Sequence, residues 1–434
     1  MLQCFCAHRL TKIANTGGEN PDSPLAFCNE VGYTVFITSE VEMMKQALNA
    51  TDIKRQNQRL ILDAVFRSGS TSRSQLSKEL SLSKPAISDN LTELLEAGIV
   101  RESGESSPSP SGGRKSILLQ PNGNHRYILA INLNFSHPFL ALGNLTGDIL
   151  QSMDFSVPPG SSTENSVELL RGQVRTMLDA LGQEREKVYC IAVAAPGTFD
   201  EQGNLSSYNP DCNGPMWWQV DVRSLLQQEF GLPVLMYNDV KAATLGEWTK
   251  GEACNVQNLF YLSVGLGIGS GIILNNALLM GEQFDAGEIY DYIDPAAAMA
   301  GFNLESTICL NYLKDSCFRA RHPAFPVRQD IHLKDIVRVY ENGDPVVTEI
   351  VDRICARLAV VSFNCMNLLS ARNMVFGGEY TPFGDCFIRH LQRLYLRARR
   401  PVPRVMISRL GKMAGIYGVL YLAKEKYFQE FCNR

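Results

Sequence analysis

The chain has 434 residues, 45% hydrophobic and 20% charged, with a formal net charge of −4. That length allows two or three globular domains with sizeable cores. No apolar run approaches the roughly 20 residues needed to cross a bilayer, and the 12 cysteines are scattered without CxxC pairs or histidine partners at zinc spacing. They read as reduced thiols of a cytoplasmic protein rather than as a disulfide framework.

Residues 1–42 fit nothing downstream and lack the basic start and apolar core of a signal peptide. They are expected to be a disordered arm, or sequence upstream of a natural start at Met43 or Met44. Residues 43–120 read as a winged helix-turn-helix. In the first helix, Leu60, Ile61, Ala64 and Val65 share a face by the i, i+3, i+4 rule. Ser68-Gly69-Ser70 breaks that helix. A second helix covers Arg73 to Leu80, with Leu76 and Leu80 inward, and Ser81-Leu82-Ser83 makes the turn. A third helix opens at Lys84-Pro85, where the first turn tolerates proline. Ile87, Leu91, Leu94 and Leu95 face inward, which leaves Ser88, Asp89 and Thr92 outward, where a recognition helix presents side chains to the major groove.

Two β-prone runs, Gly98 to Glu102 and Ser116 to Leu119, flank a Ser/Pro/Gly loop that ends in Arg114 and Lys115, as a wing would. Two cations at such a tip suit a phosphate backbone or a narrow minor groove. From Met43 to Gln120 there are 11 Lys and Arg against 8 Asp and Glu, a local +3 in an acidic chain. A three-helix protein-binding module with a flexible loop is the other reading of this segment.

Residues 121–240 begin with three strands, at Tyr127 to Leu133, Phe139 to Leu145 and Ile149 to Phe155. A helical period over Ser166 to Leu181 and an apolar strand at Val188 to Ala194 follow. A meander succeeded by alternating helix and strand indicates an α/β domain. Residues 241–434 repeat the theme, with a glycine-hinged hairpin at Asn258 to Val264 and Gly271 to Leu274, long helices, and a buried strand at Asn373 to Phe376. Two α/β lobes imply a ligand cleft between them.

Five segments occur in the order of the ROK family of repressors, open reading frames and sugar kinases. They are Ala195-Pro196-Gly197, Tyr237 to Glu247, Gly265 to Ile273, Ala286-Gly287-Glu288 and Gly377-Gly378. The resemblance covers about residues 50–425 and implies a two-lobed actin-like ATPase (ribonuclease H-like) fold behind the winged helix. With that module in front, the chain is similar to the family's xylose- and N-acetylglucosamine-type repressors.

The departures bear on function. The family's kinases end their first strand in Asp-x-Gly-Gly-Thr, which helps hold ATP phosphates and magnesium; the matching positions here are Asn132, Asn134 and Phe135. Phosphoryl transfer depends almost entirely on that electrostatic positioning, so no enzyme activity and no cofactor are expected. The Gly265 to Gly271 run lacks the helix that follows a dinucleotide fingerprint. It reads as a hairpin bend that needs permissive dihedrals.

On the sugar side, Asn238 and Asp239 match the family's Asn-Asp pair, although an Asx turn capping the next helix is the plainer role. Glu288 matches Ala-Gly-Glu and Glu305 falls where the family has Cys-Leu-Glu; either could instead be a solvated acid. Asn209, ahead of Trp217-Trp218, is placed near the same cleft. After Glu288 the family's Gly-His and its cysteine-rich zinc loop are replaced by Ile289-Tyr290-Asp291-Tyr292-Ile293. No metal is therefore expected.

The resemblance thus implies a homodimeric repressor of carbohydrate genes that reads a two-fold operator in double-stranded DNA and takes a small carbohydrate or derivative as effector. Lys84, Ser88, Asp89, Thr92, Arg114 and Lys115 are the candidates for DNA, and Asn209, Asn238, Asp239, Glu288 and Glu305 for the effector. An atypical ATP-dependent sugar kinase and a regulator gated by a protein partner are the rival readings.

Overall fold

The computed structural model describes residues 50–105, 116–133, 138–158, 161–208, 220–254, 256–290, 292–293 and 303–434. The leader 1–42, Arg114, Lys115, Asn134, Phe135, Asn209, Trp217 and Trp218 lie outside the described residues. Contacts divide the chain into Met1–Asn57 and Gln58–Arg434. Of the first, the described residues are the helical turns from Ala50; the architecture below is that of the second.

Helix α1 (Ala50–Ser68) leads into strand β1 (Thr71–Ser72), helix α2 (Arg73–Leu80) and helix α3 (Lys84–Glu96). Ser72 caps α2 by accepting from the Gln75 amide, and Ser83 caps α3 by accepting from Ala86. Between them Ser81 takes the left-handed conformation, at φ 54°. Strands β2 (Val100–Glu105) and β3 (Ile117–Pro121) complete an antiparallel sheet ordered β1-β3-β2, the wing. Ile61, Leu62, Ala64, Val65, Leu76, Ile87, Leu91, Leu94 and Ile99 are buried. Leu60, expected inward, is 46% exposed. The buried stripe runs instead through Gln58, Ile61, Leu62 and Val65, which turns Leu60 to the helix flank.

The body holds two five-stranded sheets of the same plan. Strands β4 (Tyr127–Asn132), β5 (Phe139–Asn144) and β6 (Ile149–Asp154) form an antiparallel meander. β7 (Val188–Ala195) pairs parallel with β4, and β10 (Val234–Asn238) parallel with β7, giving the order β10-β7-β4-β5-β6. A short hairpin, β8 (Thr198–Phe199) with β9 (Leu205–Ser207), intervenes. In the second sheet β11 (Leu259–Val264), β12 (Ile268–Leu274) and β13 (Ala277–Leu278) form the meander, and β14 (Asn373–Gly377) and β15 (Arg404–Ile407) add in parallel. Its order is β13-β12-β11-β14-β15. All six residues of β4 are buried, as a central strand covered on both faces should be.

Helices α4 (Thr163–Asp179) and α5 (Val222–Phe230) cover one face of the first sheet. Helices α7 (Leu310–Arg319), α8 (Leu333–Glu341), α9 (Pro345–Leu368) and α10 (Gly384–Arg397) cover one face of the second. Between the sheets lie α6 (Asp239–Thr249) and the C-terminal α11 (Met413–Cys432). The second lobe, expected to run to the C-terminus, therefore gives up its last helix: α11 packs against β4, β5 and β7 of the first sheet.

Small residues let these two helices meet backbone to backbone. A Cβ at Gly246 would run into the Ala414 carbonyl, and one at Gly418 into that of Ala242. The glycines of β12 serve the same purpose. A Cβ at Gly269 would lie 2.8 Å from Val240 Cγ2, and one at Gly271 would collide with the Thr244 hydroxyl. None of Gly265, Gly267, Gly269 and Gly271 is among the positive-φ residues. The expectation of permissive dihedrals is thus corrected: this run is glycine-rich because helix α6 packs on the strand and two carboxylates crowd the turn before it. β12 accordingly starts at Ile268, three residues before the expected Gly271.

Candidate ligand cleft and nucleic-acid interface

The parallel strands of both sheets end at one cleft of about 460 Å³. β7 delivers Pro196 and Gly197, β10 delivers Asn238 and Asp239, β11 leads into Gly265 to Gly269, and β14 leads into Gly378 and Glu379. Ligands of open α/β sheets bind at such carboxyl ends. Four of the five expected effector residues line this cleft: Asn238, Asp239, Glu288 and Glu305.

Their roles differ. Asn238 is the N-cap of α6: its Oδ1 accepts from the Lys241 amide at 2.8 Å and its Nδ2 donates to the Gly197 carbonyl at 2.9 Å. It ties β10 to the turn after β7, so the helix-capping role foreseen for this pair falls to Asn238. Asp239 uses one oxygen to accept from the Val240 amide at 2.9 Å. Burial, with the Glu288 charge adding to it, pushes its carboxyl up to about 6.

Glu288 is held in place by Gly287, at φ 90°, whose carbonyl accepts from both the Ser270 amide and hydroxyl. Burial raises the Glu288 pKa, and Lys241, 3.4 Å away, opposes that shift. Glu305 is only 9% exposed, and its Oε2 accepts from the Ile268 amide at 3.0 Å. Neither glutamate is a solvated surface acid.

The sequence reading missed two members of the site. Lys241 is 3% exposed and is the positive partner of Glu288. Glu379 follows the Gly377-Gly378 pair, and its Oε2 is buried without a hydrogen-bond partner. Lys241 stands two residues after Asp239 in the motif itself, and Glu379 directly follows another motif. Adjacency to motif residues was therefore the signal available. Tyr290 and Asp285 also line the cleft.

Carboxylates flank the glycine turn on both sides. A Cβ at Gly267 would fall 3.0 Å from Glu305 Oε2, and one at Gly265 would fall 2.8 Å from Glu379 Oε2. At the end of β4, Asn132 is 5% exposed and donates to the Lys412 carbonyl at 3.3 Å, which ties the strand to the start of α11.

On the winged module, Lys84, Ser88, Asp89 and Thr92 are all exposed on α3. The Thr92 hydroxyl donates to the Ser88 carbonyl at 2.9 Å, leaving its oxygen free to accept. Arg73 of α2 bridges to Glu102 of the wing at 3.1 Å.

The module is docked on α11. Phe66 meets Phe428 edge to face at 4.8 Å, and Arg59 lies over the Phe428 ring at 5.6 Å while pairing with Glu425 and Asp63. At the base of the wing, His125 Nε2 meets the Tyr427 hydroxyl at 2.7 Å. Burial, with Arg126 and Lys187 adding, lowers the His125 pKa to about 4.

A DNA-binding head of winged-helix type, fixed to a two-lobed α/β body of sugar-kinase shape, is the class these features define. Comparison with known proteins agrees. A model of the ROK family matches residues 129–426, and one of the bacterial regulatory protein arsR family matches residues 55–102. The chain belongs to the ROK family.

It is 26% identical to the xylose repressor of Caldicellulosiruptor bescii over 358 residues, 80% of this chain and 88% of that one. It is 21% identical to the N-acetylglucosamine repressor of Escherichia coli O6:H1 over 347 residues, 77% and 82% of the two chains. Among solved structures, a ROK family transcriptional regulator described as a homolog of the E. coli MLC protein superposes with a TM-score of 0.71 at 22% identity, covering 88% of this chain and 98% of that one. A ROK family glucokinase from Streptomyces griseus superposes with a TM-score of 0.57 at 20% identity, covering 69% and 99%. Among the described residues no helix is long and apolar enough to cross a membrane.

Proposed function

We propose that this protein is a transcriptional repressor of carbohydrate-use genes whose affinity for its operator is set by a small carbohydrate in the cleft between the lobes. The observation that carries this reading is the shared helical layer. α6 begins at Asp239 in the cleft and packs on α11, which in turn carries the winged module through Phe428, Glu425 and Tyr427. A ligand that prefers one spacing of the lobes thereby biases the placement of α3. A two-fold dimer would present two such helices to a palindromic site, with Lys84 on phosphate, Ser88, Asp89 and Thr92 at base edges, and Arg114 and Lys115 on the wing.

The charge of the cleft narrows the effector. Asp239, Glu288, Glu305, Glu379 and Asp285 line the cleft, and Glu288 pairs with the buried Lys241. Carboxylates accept hydrogen bonds from hydroxyls and repel anions, which favours a neutral or amino sugar over a sugar acid or phosphate. The same acids argue against the kinase alternative. Glu305 already takes the Ile268 amide, and Glu379 crowds Gly265, at the turn that would have to approach nucleotide phosphates. We therefore regard the protein as a regulator without phosphoryl-transfer activity.

Footprinting of the purified protein across its genome, repeated with neutral sugars, amino sugars and sugar phosphates, tests this reading. Occupancy of a palindromic site near carbohydrate genes, released by a neutral or amino sugar, is the expected result. ADP formation dependent on sugar and abolished by Asp239→Asn would replace it with the kinase.

A further inference from the structure

Outside the cleft, the neighbouring helices α9 and α10 bring together side chains that no part of the regulatory reading uses. Asp352 and Cys355 lie at i and i+3 on α9, and Cys386 and His390 at i and i+4 on α10, so each pair shares one helix face. His390 Nε2 is 2.8 Å from Asp352 Oδ1, Cys386 Sγ is 3.7 Å from the same oxygen, and the three ligand atoms lie within 4.8 Å of one another. The Cys355 thiol, on the same face of α9, donates instead to the Phe383 carbonyl at 3.9 Å. We propose that Asp352, Cys386 and His390 form a zinc site that clamps α9 to α10.

The donor set decides the metal. One thiol, one imidazole and one carboxylate suit zinc with solvent in the fourth position, whereas calcium and magnesium take oxygen ligands. Bonds of about 2.0 Å to N and O and 2.3 Å to S set tetrahedral ligand atoms roughly 3.3–3.8 Å apart. The Cys386–Asp352 distance already falls in that range. The Asp352–His390 pair must open by about half an ångström, which a carboxylate with 51% side-chain exposure can do.

That exposure also gives the ion an entry path to the buried Cys386 thiol. One thiolate and one carboxylate neutralise the dication. The site differs from the family's zinc loop, which the sequence resemblance places just after Glu288. Its consequence for the fold is local. α9 and α10 flank β14 and the turn that carries Glu379 into the cleft, so the clamp would fix that turn from behind.

Titration of the full, reduced chain with Co²⁺ tests the proposal. The expected result is one cobalt per chain, with the thiolate charge-transfer band and intense visible bands of tetrahedral sulfur coordination, displaced by Zn²⁺. His390→Ala and Asp352→Asn, both at the outer side of the cluster, should each weaken Co²⁺ binding at least tenfold, and Cys386→Ala should abolish the charge-transfer band. Cys254→Ala, an exposed thiol elsewhere, should leave the spectrum unchanged. Zn²⁺ should raise the melting temperature of the wild-type chain and leave that of His390→Ala unmoved. A wild-type chain that takes up no cobalt under reducing conditions, or one whose spectrum survives His390→Ala and Cys386→Ala, would overturn the proposal.

Discussion

The two sheets have one strand plan and both send strand ends into the cleft, but they differ in what else they carry. The first, β10-β7-β4-β5-β6, lends its inner face to α11 and through it to the winged module. The second, β13-β12-β11-β14-β15, sends Glu379 from one strand end and the glycine turn from another into the cleft, and Glu305 bonds that turn. In the proposed repressor, neither lobe alone would join ligand to DNA. The joint is the α6–α11 layer, and its tightness comes from glycines rather than from large side chains. A close backbone contact has few intermediate geometries, which is the property expected of an element that reports a change of lobe spacing instead of absorbing it.

The severest way to break the comparison is to force the layer apart. Gly418→Val places a branched side chain against the Ala242 carbonyl, between two backbones that cannot yield separately. Overpacking in a core typically costs about 1–3 kcal/mol, and a backbone obstruction exceeds that range. The expected outcome is a chain that loses cooperative thermal unfolding and operator binding together. A variant that melts with the wild type would show that the layer is looser than described.

Next in size is Phe428→Ala, which empties the ring that Phe66 and Arg59 pack against. Truncation of a buried phenylalanine costs about 3–5 kcal/mol. Because this one serves the docking surface, calorimetry should show the winged module melting early while effector binding in the cleft survives. Loss of both at once would mean that the docking surface on α11 also holds the cleft in shape.

Asp239→Asn should move stability the other way. The folded carboxyl titrates near 6, above the 3.8 of an unhindered Asp. A raised carboxylate contributes stability that is complete below pH 3.8 and lost as pH climbs past 6, so at pH 7.5 the ionised form is a net burden. Removing the charge should add about 1–3 kcal/mol above pH 6, with no gain at pH 4. Effector binding has the opposite requirement, since hydroxyls need the ionised acceptor. Affinity should fall as pH drops through 6 in the wild type and be low at every pH in the variant. Thermal shift with and without sugar, between pH 5 and 8, reads both.

Where the sequence sufficed, a strong local signal coincided with the global fold. The turn at Ser81-Leu82-Ser83 and the Pro85 start of α3 gave the helix-turn-helix to within a residue, because capping and burial pointed the same way. The ordered motifs likewise pointed to Asp239 and Glu288, which line one cleft with Glu305. What stayed hidden depends on contacts between distant segments. Nothing in Met413–Cys432 says that it crosses back to the first sheet, since an apolar helix suits either lobe. The β12 glycines misled because a tight bend and a close approach select the same residue. Asp352, Cys386 and His390 escaped for a related reason: nothing in their spacing marks a site until α9 and α10 are laid side by side.

The smallest effect sharpens the DNA side. Lys84 opens α3 in full exposure, next to Ser83, whose hydroxyl is spent on capping. A lysine at a recognition helix's entrance that meets phosphate adds affinity without reading sequence. Lys84→Ala should therefore weaken binding to operator and to random DNA by the same factor, and lower the slope of log affinity against log salt by about 1. Ser88→Ala, by contrast, should leave the salt slope alone and change the ranking of operator variants, because a base-edge contact carries sequence information and releases no counterion. If Lys84→Ala shifts preference between operators instead, the helix enters the groove in a different orientation, and Ser88, Asp89 and Thr92 exchange their assigned roles with the residues beside them.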